Sequence, residues 1–155
     1  MTNSVLLVED VKLQLEIWSE AAHPFETGGV LLGMVGDGQP WIVMAAQVPS
    51  AAPALYRYEL PAGATHLAVS KARQFDPRVG YLGDWHSHPM DARASSKDLM
   101  TYLGVFRRAL RRKEQAPLML VMRHDARGWQ VDLLSRRGLR PATLVPFVLT
   151  GPPSE

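Results

Sequence analysis

The chain opens on a short apolar run, Ser4 to Val8, followed by Glu9-Asp10 and then by Val11, Leu15, Trp18 and Ala22 at helical spacing. This predicts a strand that feeds an amphipathic helix, with Asp10 as its N-cap and Pro24 as its stop. Val30 to Val35 reads as a buried strand, Gly36-Asp-Gly as a turn, and Trp41 to Val48 as the hairpin partner. Residues 49–64 are rich in Pro, Ala and Gly, and the alternation of Tyr56, Tyr58 and Leu60 predicts a loop holding one short strand. Leu67 to Phe75 looks helical and stops before Pro77. Val79 to His86 is a strand that runs out into Ser87-His88-Pro89, where proline ends pairing. Ser95-Ser96 opens a long helix with a stripe of Leu99, Tyr102, Leu103, Phe106 and Leu110, closed by Pro117. Leu118 to Met122 and Trp129 to Leu134 form a second hairpin around Asp125-Ala-Arg-Gly, and Leu144 to Leu149 supplies a last strand. Helices and strands interleaved in this order predict an α/β (α+β) domain with helices flanking one sheet.

Length and composition narrow the class. At 155 residues the chain is expected to form a single domain over residues 1–150 with a short tail at 151–155. An apolar fraction of 46% and a charged fraction of 21% are ordinary for a globular protein and argue against wholesale disorder. The absence of cysteine excludes a disulfide framework, a thiol nucleophile and any zinc site built on thiolates. No 18-residue apolar run exists to span a membrane, and Met1-Thr-Asn-Ser lacks the basic and apolar regions of a secretory signal, so a cytoplasmic location is expected. The formal charge is only +2. Cations cluster at Arg107-Arg108 and Arg111-Arg112-Lys113, opposite the apolar stripe of the long helix. A nucleic-acid footprint and a solvated helix face look alike here; the solvated face is the expectation, and nucleic acid is not an expected partner.

Two of the five histidines are close together. In a strand, residues i and i+2 share a face, so His86 and His88 form half a zinc site, their imidazoles able to reach one ion at about 2.0–2.1 Å. The same H-x-H spacing also occurs in ordinary strands. After Pro89 turns the chain, Ser95-x-x-Asp98 stands at the start of the next helix, where Asp98 would supply a third, oxygen ligand. Three protein ligands and an open fourth position characterise catalytic rather than structural zinc. Ser95-x-x-Asp98 equally fits a helix cap with an acidic third position, and capping would fix where Asp98 points. Asp84 is the rival ligand. It shares the strand face of His86 and His88, but three ligands strung along one strand fit a tetrahedral ion poorly, so Asp98 is preferred; Asp91 in the intervening loop is a weaker candidate. Glu26, in Pro24-Phe-Glu-Thr-Gly-Gly, is unremarkable by spacing alone and also reads as a turn residue.

Taken together, Glu26-Thr-Gly-Gly-Val-Leu-Leu-Gly and Gly83-Asp-Trp-His86-Ser-His88-Pro89 followed by Ser95-x-x-Asp98 resemble the JAMM motif of the JAB/MPN/Mov34 zinc metallopeptidases. The resemblance spans most of the chain and implies a curved mixed sheet flanked by helices, the MPN/JAB domain, with a cytidine-deaminase-like arrangement. It implies one Zn2+ per chain on His86, His88 and Asp98, with Glu26 as general acid/base and Ser95 as a donor to the tetrahedral oxyanion. The interval from His88 to Asp98 holds nine residues, Pro89 to Lys97, one fewer than the family pattern; a shifted register would put Ser96 in the place of Ser95.

The resemblance further implies hydrolysis of the bond after the C-terminal glycine of a ubiquitin-like modifier, either in conjugates or in a precursor. The compact Asp-Trp-His-Ser-His-Pro form is similar to the bacterial branch, some members of which accompany E1- and E2-like partners in antiviral operons. Two alternatives are a catalytically silent MPN scaffold and a peptidase that trims a sulfur-carrier protein. A silent domain usually lacks one of the metal or acid/base residues, and this chain has them all.

Overall fold

The computed structural model describes residues 4–50, 60–88 and 117–134, together with the backbone of 143–147. Its elements are β1 (Ser4–Val8), α1 (Glu9–Ala22), β2 (Gly28–Gly36), β3 (Gln39–Gln47), α2 (Ala64–Arg73), β4 (Gly80–Ser87), β5 (Leu118–Asp125), β6 (Gly128–Leu134) and β7 (Thr143–Phe147). The seven strands among the described residues join one sheet in the order β6-β5-β4-β2-β3-β1-β7. It is mixed: β4/β5, β1/β3 and β1/β7 pair parallel, while β2/β3, β2/β4 and β5/β6 pair antiparallel. The expected strand at Tyr56 and Tyr58, the long helix from Ser95 and the arginine cluster lie outside the described residues, as does the end of the last strand beyond Phe147.

Each helix covers one face of the sheet. Val11 and Leu15 of α1 pack with Val5, Leu7, Leu31, Ile42, Leu82, Trp85, Leu120 and Met122 in the larger core. Ala68 and Ala72 of α2 pack with Val30, Leu32 and Val79 on the other face. Alternation along β2 explains the division, since Val30 and Leu32 point one way and Leu31 the other. Two irregularities bend the sheet. β3 slips register opposite Leu32/Gly33, and β4 slips opposite Leu31/Leu32, so Val43 and Leu82 are extra residues in their strands.

Two expected boundaries are corrected. Asp10 is not the N-cap of α1: β1 leads straight into the helix, Val8 occupies the cap without a side-chain bond, and Asp10 sits in the first turn. There its charge still favours the positive end of the helix dipole. α2 begins at Ala64 rather than Leu67, because Gly63, at φ 80°, turns the chain and its carbonyl accepts the Leu67 amide. It also ends at Arg73, short of Phe75. The amides of Phe75 and Asp76 both bond back to the Ala72 carbonyl and tighten the last turn.

The turn that launches β4 is fixed by charge. Asp76 accepts bonds from the Arg78 amide at 3.0 Å and from its guanidinium at 3.0 and 2.8 Å, while Arg73 Nε donates to the Val79 carbonyl at 3.0 Å. The Arg78 bonds hold the Asp76 carboxyl down to about 2. A carboxylate depressed in the folded state adds stability above its ordinary value near 3.8 and loses it as pH falls through about 2. An NMR titration of the Asp76 carboxyl should therefore give a midpoint near 2 that returns towards the ordinary value in Arg78→Ala; an ordinary midpoint in the wild type would contradict the assignment.

At Gly29 two strands approach too closely for a side chain. A Cβ there would run into the Ala46 carbonyl of β3 and meet Trp85 Nε1 of β4 at 3.0 Å. Gly29→Ala should destabilise the fold by about 1–3 kcal/mol through overpacking. Gly80→Ala, where the nearest atom is the flexible tip of Arg73 at 3.9 Å, should be close to neutral. Chemical denaturation of the two variants compares them directly, and equal stabilities would contradict the close approach.

Candidate active site

The site is built on the C-terminal end of β4 and on the turn that enters β2. Trp85 sets the orientation of β4. Its indole is fully buried, stacks on Trp18 of α1 at 5.8 Å and 15° between planes, and donates to the Ala46 carbonyl at 3.1 Å across the gap left by Gly29. With Trp85 committed to the α1 face, strand alternation sends Asp84 and His86 to the opposite face, paired with Val30 and Gly28 on β2. Gly28 brings no side chain to that face beside His86.

His86 and His88 come together as the spacing predicts. Their Nε2 atoms lie 3.1 Å apart, the rings tilted by 52° with centroids 5.0 Å apart. His88 is buried, and its amide continues the parallel β4/β5 ladder, donating to the Met122 carbonyl at 2.7 Å. Two nitrogens that converge at this distance either share a proton or share a ligand. Ligands at 2.0–2.1 Å on a tetrahedral ion stand about 3.3 Å apart, so the pair fits two corners of a zinc site without rearrangement. Neutral imidazoles are also suitable donors for that metal.

Asp84 is engaged elsewhere. Its Oδ1 accepts the Tyr81 hydroxyl at 2.9 Å, a contact between residues three apart that the extra residue Leu82 makes possible. Burial pushes the Asp84 carboxyl above the usual range, against the opposing effects of the Tyr81 hydroxyl and the His86 charge. Among the described residues no three His, Asp or Glu side chains gather into a metal site. Asp98 and Ser95 belong to the connection between β4 and β5 and lie outside the described residues, as does Asp91.

Glu26 is half-buried and stands two residues ahead of Gly28, the backbone partner of His86. Its neighbour Thr27 is tied to Ser87, the residue between the two histidines. The Ser87 amide donates to the Thr27 carbonyl at 2.8 Å, and the Thr27 amide donates to Ser87 Oγ at 3.0 Å. Thr27 Oγ1 also accepts from Gln47 Nε2 at 3.1 Å. The turn bearing Glu26 is thus held against the histidine strand. Sequence reasoning missed Ser87 and Thr27; the available signal was that the small residue of His-Ser-His must face away from the histidines, into the protein.

A curved mixed sheet flanked by helices, with convergent histidines at the end of a central strand and an acidic turn bonded beside them, defines a JAB/MPN-type domain. A family model described as prokaryotic homologs of the JAB domain matches residues 9–134, and the chain belongs to that family. A CD-NTase/cGAS isopeptidase of Pseudomonas aeruginosa is 35% identical over 69 residues, which is 43% of this chain and 43% of that relative, so the match spans less than half of either protein. Among solved structures, a protein of Desulfitobacterium hafniense aligns over 94% of each chain with a TM-score of 0.68 at 17% identity. A JAB1/MPN domain protein from Archaeoglobus fulgidus aligns over 92% of this chain and 98% of its own, with a TM-score of 0.56 at 16% identity. At these identities the likeness establishes the fold. Among the described residues, no helix is long and apolar enough to cross a membrane.

Proposed function

We propose that the chain is a zinc-dependent isopeptidase that hydrolyses the bond after the C-terminal glycine of a ubiquitin-like modifier, with His86, His88 and Asp98 as metal ligands. The observation that carries this is the 3.1 Å convergence of the two imidazoles beside the turn that bears Glu26. Family membership and the relative named an isopeptidase support the bond class.

Zinc at this site would supply Lewis acidity, polarising the scissile carbonyl and making hydroxide available near neutral pH. Glu26 takes the proton of the attacking water as its oxygen bonds to the carbonyl carbon. It returns that proton to the nitrogen as the carbon–nitrogen bond breaks, so the lysine amine leaves neutral; the remaining water proton, on the modifier's new carboxyl group, then passes to the freed amine through solvent, giving a carboxylate and an ammonium. Ser95, in its proposed role, donates to the oxyanion while the carbon is tetrahedral. His86 and His88 need only remain neutral and fixed, and the buried position of His88 restricts its movement.

Two probes test the substrate class: a ubiquitin-like domain ending in Gly-Gly, and a CD-NTase, each joined through its C-terminus to a lysine ε-amine. Cleavage directly after the terminal glycine of the first is expected; cleavage of the second alone would contradict a ubiquitin-like substrate. Glu26→Gln should lower the rate by roughly 10²–10⁴-fold while elemental mass spectrometry shows zinc retained. Undiminished cleavage by Glu26→Gln would sink the mechanism, and a wild-type protein inert on both probes would return the chain to the class of silent scaffolds.

A further inference from the structure

We infer that Ser87 is a positioning residue, whose hydroxyl fixes the Glu26 turn relative to the two imidazoles. The inference rests on the assignment of Glu26 as acid/base. Its structural basis is an irregular strand pair. With Gly28 opposite His86, Thr27 falls opposite Ser87, and a regular antiparallel pair of this kind exchanges two backbone N–H···O=C bonds. Only one of these is made here, from the Ser87 amide to the Thr27 carbonyl at 2.8 Å. The Thr27 amide instead bonds to the Ser87 hydroxyl at 3.0 Å, and that hydroxyl lies 3.4 Å from the Thr27 carbonyl. On its other edge β4 stays in register with β5, where the His88 amide donates to the Met122 carbonyl at 2.7 Å, so the irregularity is confined to the β2 side.

A side chain therefore closes the last rung between the two halves of the site. Ser87 and Thr27 are both buried, so water does not readily replace the bond. Ser87 faces away from His86 and His88 by alternation and is not placed to hold a metal. The residue bonded through Ser87 Oγ is the immediate neighbour of Glu26, so a shift of this rung moves the carboxylate against the imidazoles. Gln47 braces Thr27 from β3 through its hydroxyl, but not through its amide. The amide depends on Ser87 Oγ.

Ser87→Ala deletes the hydroxyl with little change in volume, and Ser87→Thr restores it. The first measurement is hydrogen exchange of the Thr27 amide by NMR in metal-free protein. It should quicken at least tenfold in Ser87→Ala and return towards wild type in Ser87→Thr. The second is steady-state cleavage of the Gly-Gly isopeptide probe by zinc-loaded protein. Ser87→Ala should lose about 10- to 100-fold in kcat, with KM changed less than about twofold and zinc content unchanged, and Ser87→Thr should recover most of the rate. Unaltered Thr27 exchange in Ser87→Ala overturns the bond. Fast exchange with wild-type kcat overturns its positioning role, and loss of zinc in proportion to activity would place the effect on the histidines instead. Failure of the isopeptidase assignment is distinguishable, because it would appear as an inert wild type whose Thr27 amide is still protected through Ser87.

Discussion

The burial of the Trp85 indole under α1 is the contact on which the site depends. A strand two residues from its end has only two choices of face, and a slip of one residue exchanges every side chain between them. Truncating a buried aromatic side chain costs on the order of 3–5 kcal/mol, against about 1 kcal/mol for a typical hydrogen bond. Packing of Trp85 against Trp18 thus decides the facing of β4, and the histidines follow. Gly29 is the other half of this arrangement, because its missing Cβ leaves the path by which the indole reaches the Ala46 carbonyl. One apolar commitment on one face of the sheet so becomes a polar constellation on the other.

The remaining geometry comes from the way strands end. β4 lies between two strands, paired with β2 from Gly80 to His86 and with β5 from Gly83 to Ser87, so its end is held from both sides. The turn carrying Glu26 enters β2 at the same level. The proposed acid/base, Glu26, and the proposed ligands, His86 and His88, are then held from two different strands, joined by the Thr27–Ser87 bonds. Construction on strand ends rather than on a long loop suits a reaction that tolerates little misplacement of the reacting groups.

Much of this was legible in the chain. The period of two in His86-Ser-His88 was enough to predict two imidazoles meeting on one face, and the apolar periodicity of Val11 and Leu15 was enough to find α1 and its buried side. Other features leave no local signal. The extra residue at Leu82 brings Tyr81 to Asp84, and it arises from register against β2, which a period-two pattern within β4 does not encode. Asp10 misled as a cap because composition favours Asp there, whereas the direct passage from β1 into α1 leaves no separate cap residue. Glu26 carried nothing by spacing; only the resemblance drew attention to it. Its nearness to the histidine strand follows from the pairing of β2 with β4, a contact between residues 60 apart in sequence at Thr27 and Ser87.

In the proposed zinc site the third ligand comes from the connection after β4 and not from the strand itself. Asp84 is on the correct face but is bonded to Tyr81, and one strand supplies ligands along a single line. Zinc content by elemental mass spectrometry, on untagged wild type, Asp98→Ala and Asp84→Ala prepared in parallel, tests this most directly. About one zinc per chain is predicted in the wild type and in Asp84→Ala, with loss in Asp98→Ala. Zinc lost from Asp84→Ala and kept in Asp98→Ala would contradict this ligand assignment, as would a wild type that takes up no zinc when the metal is added back.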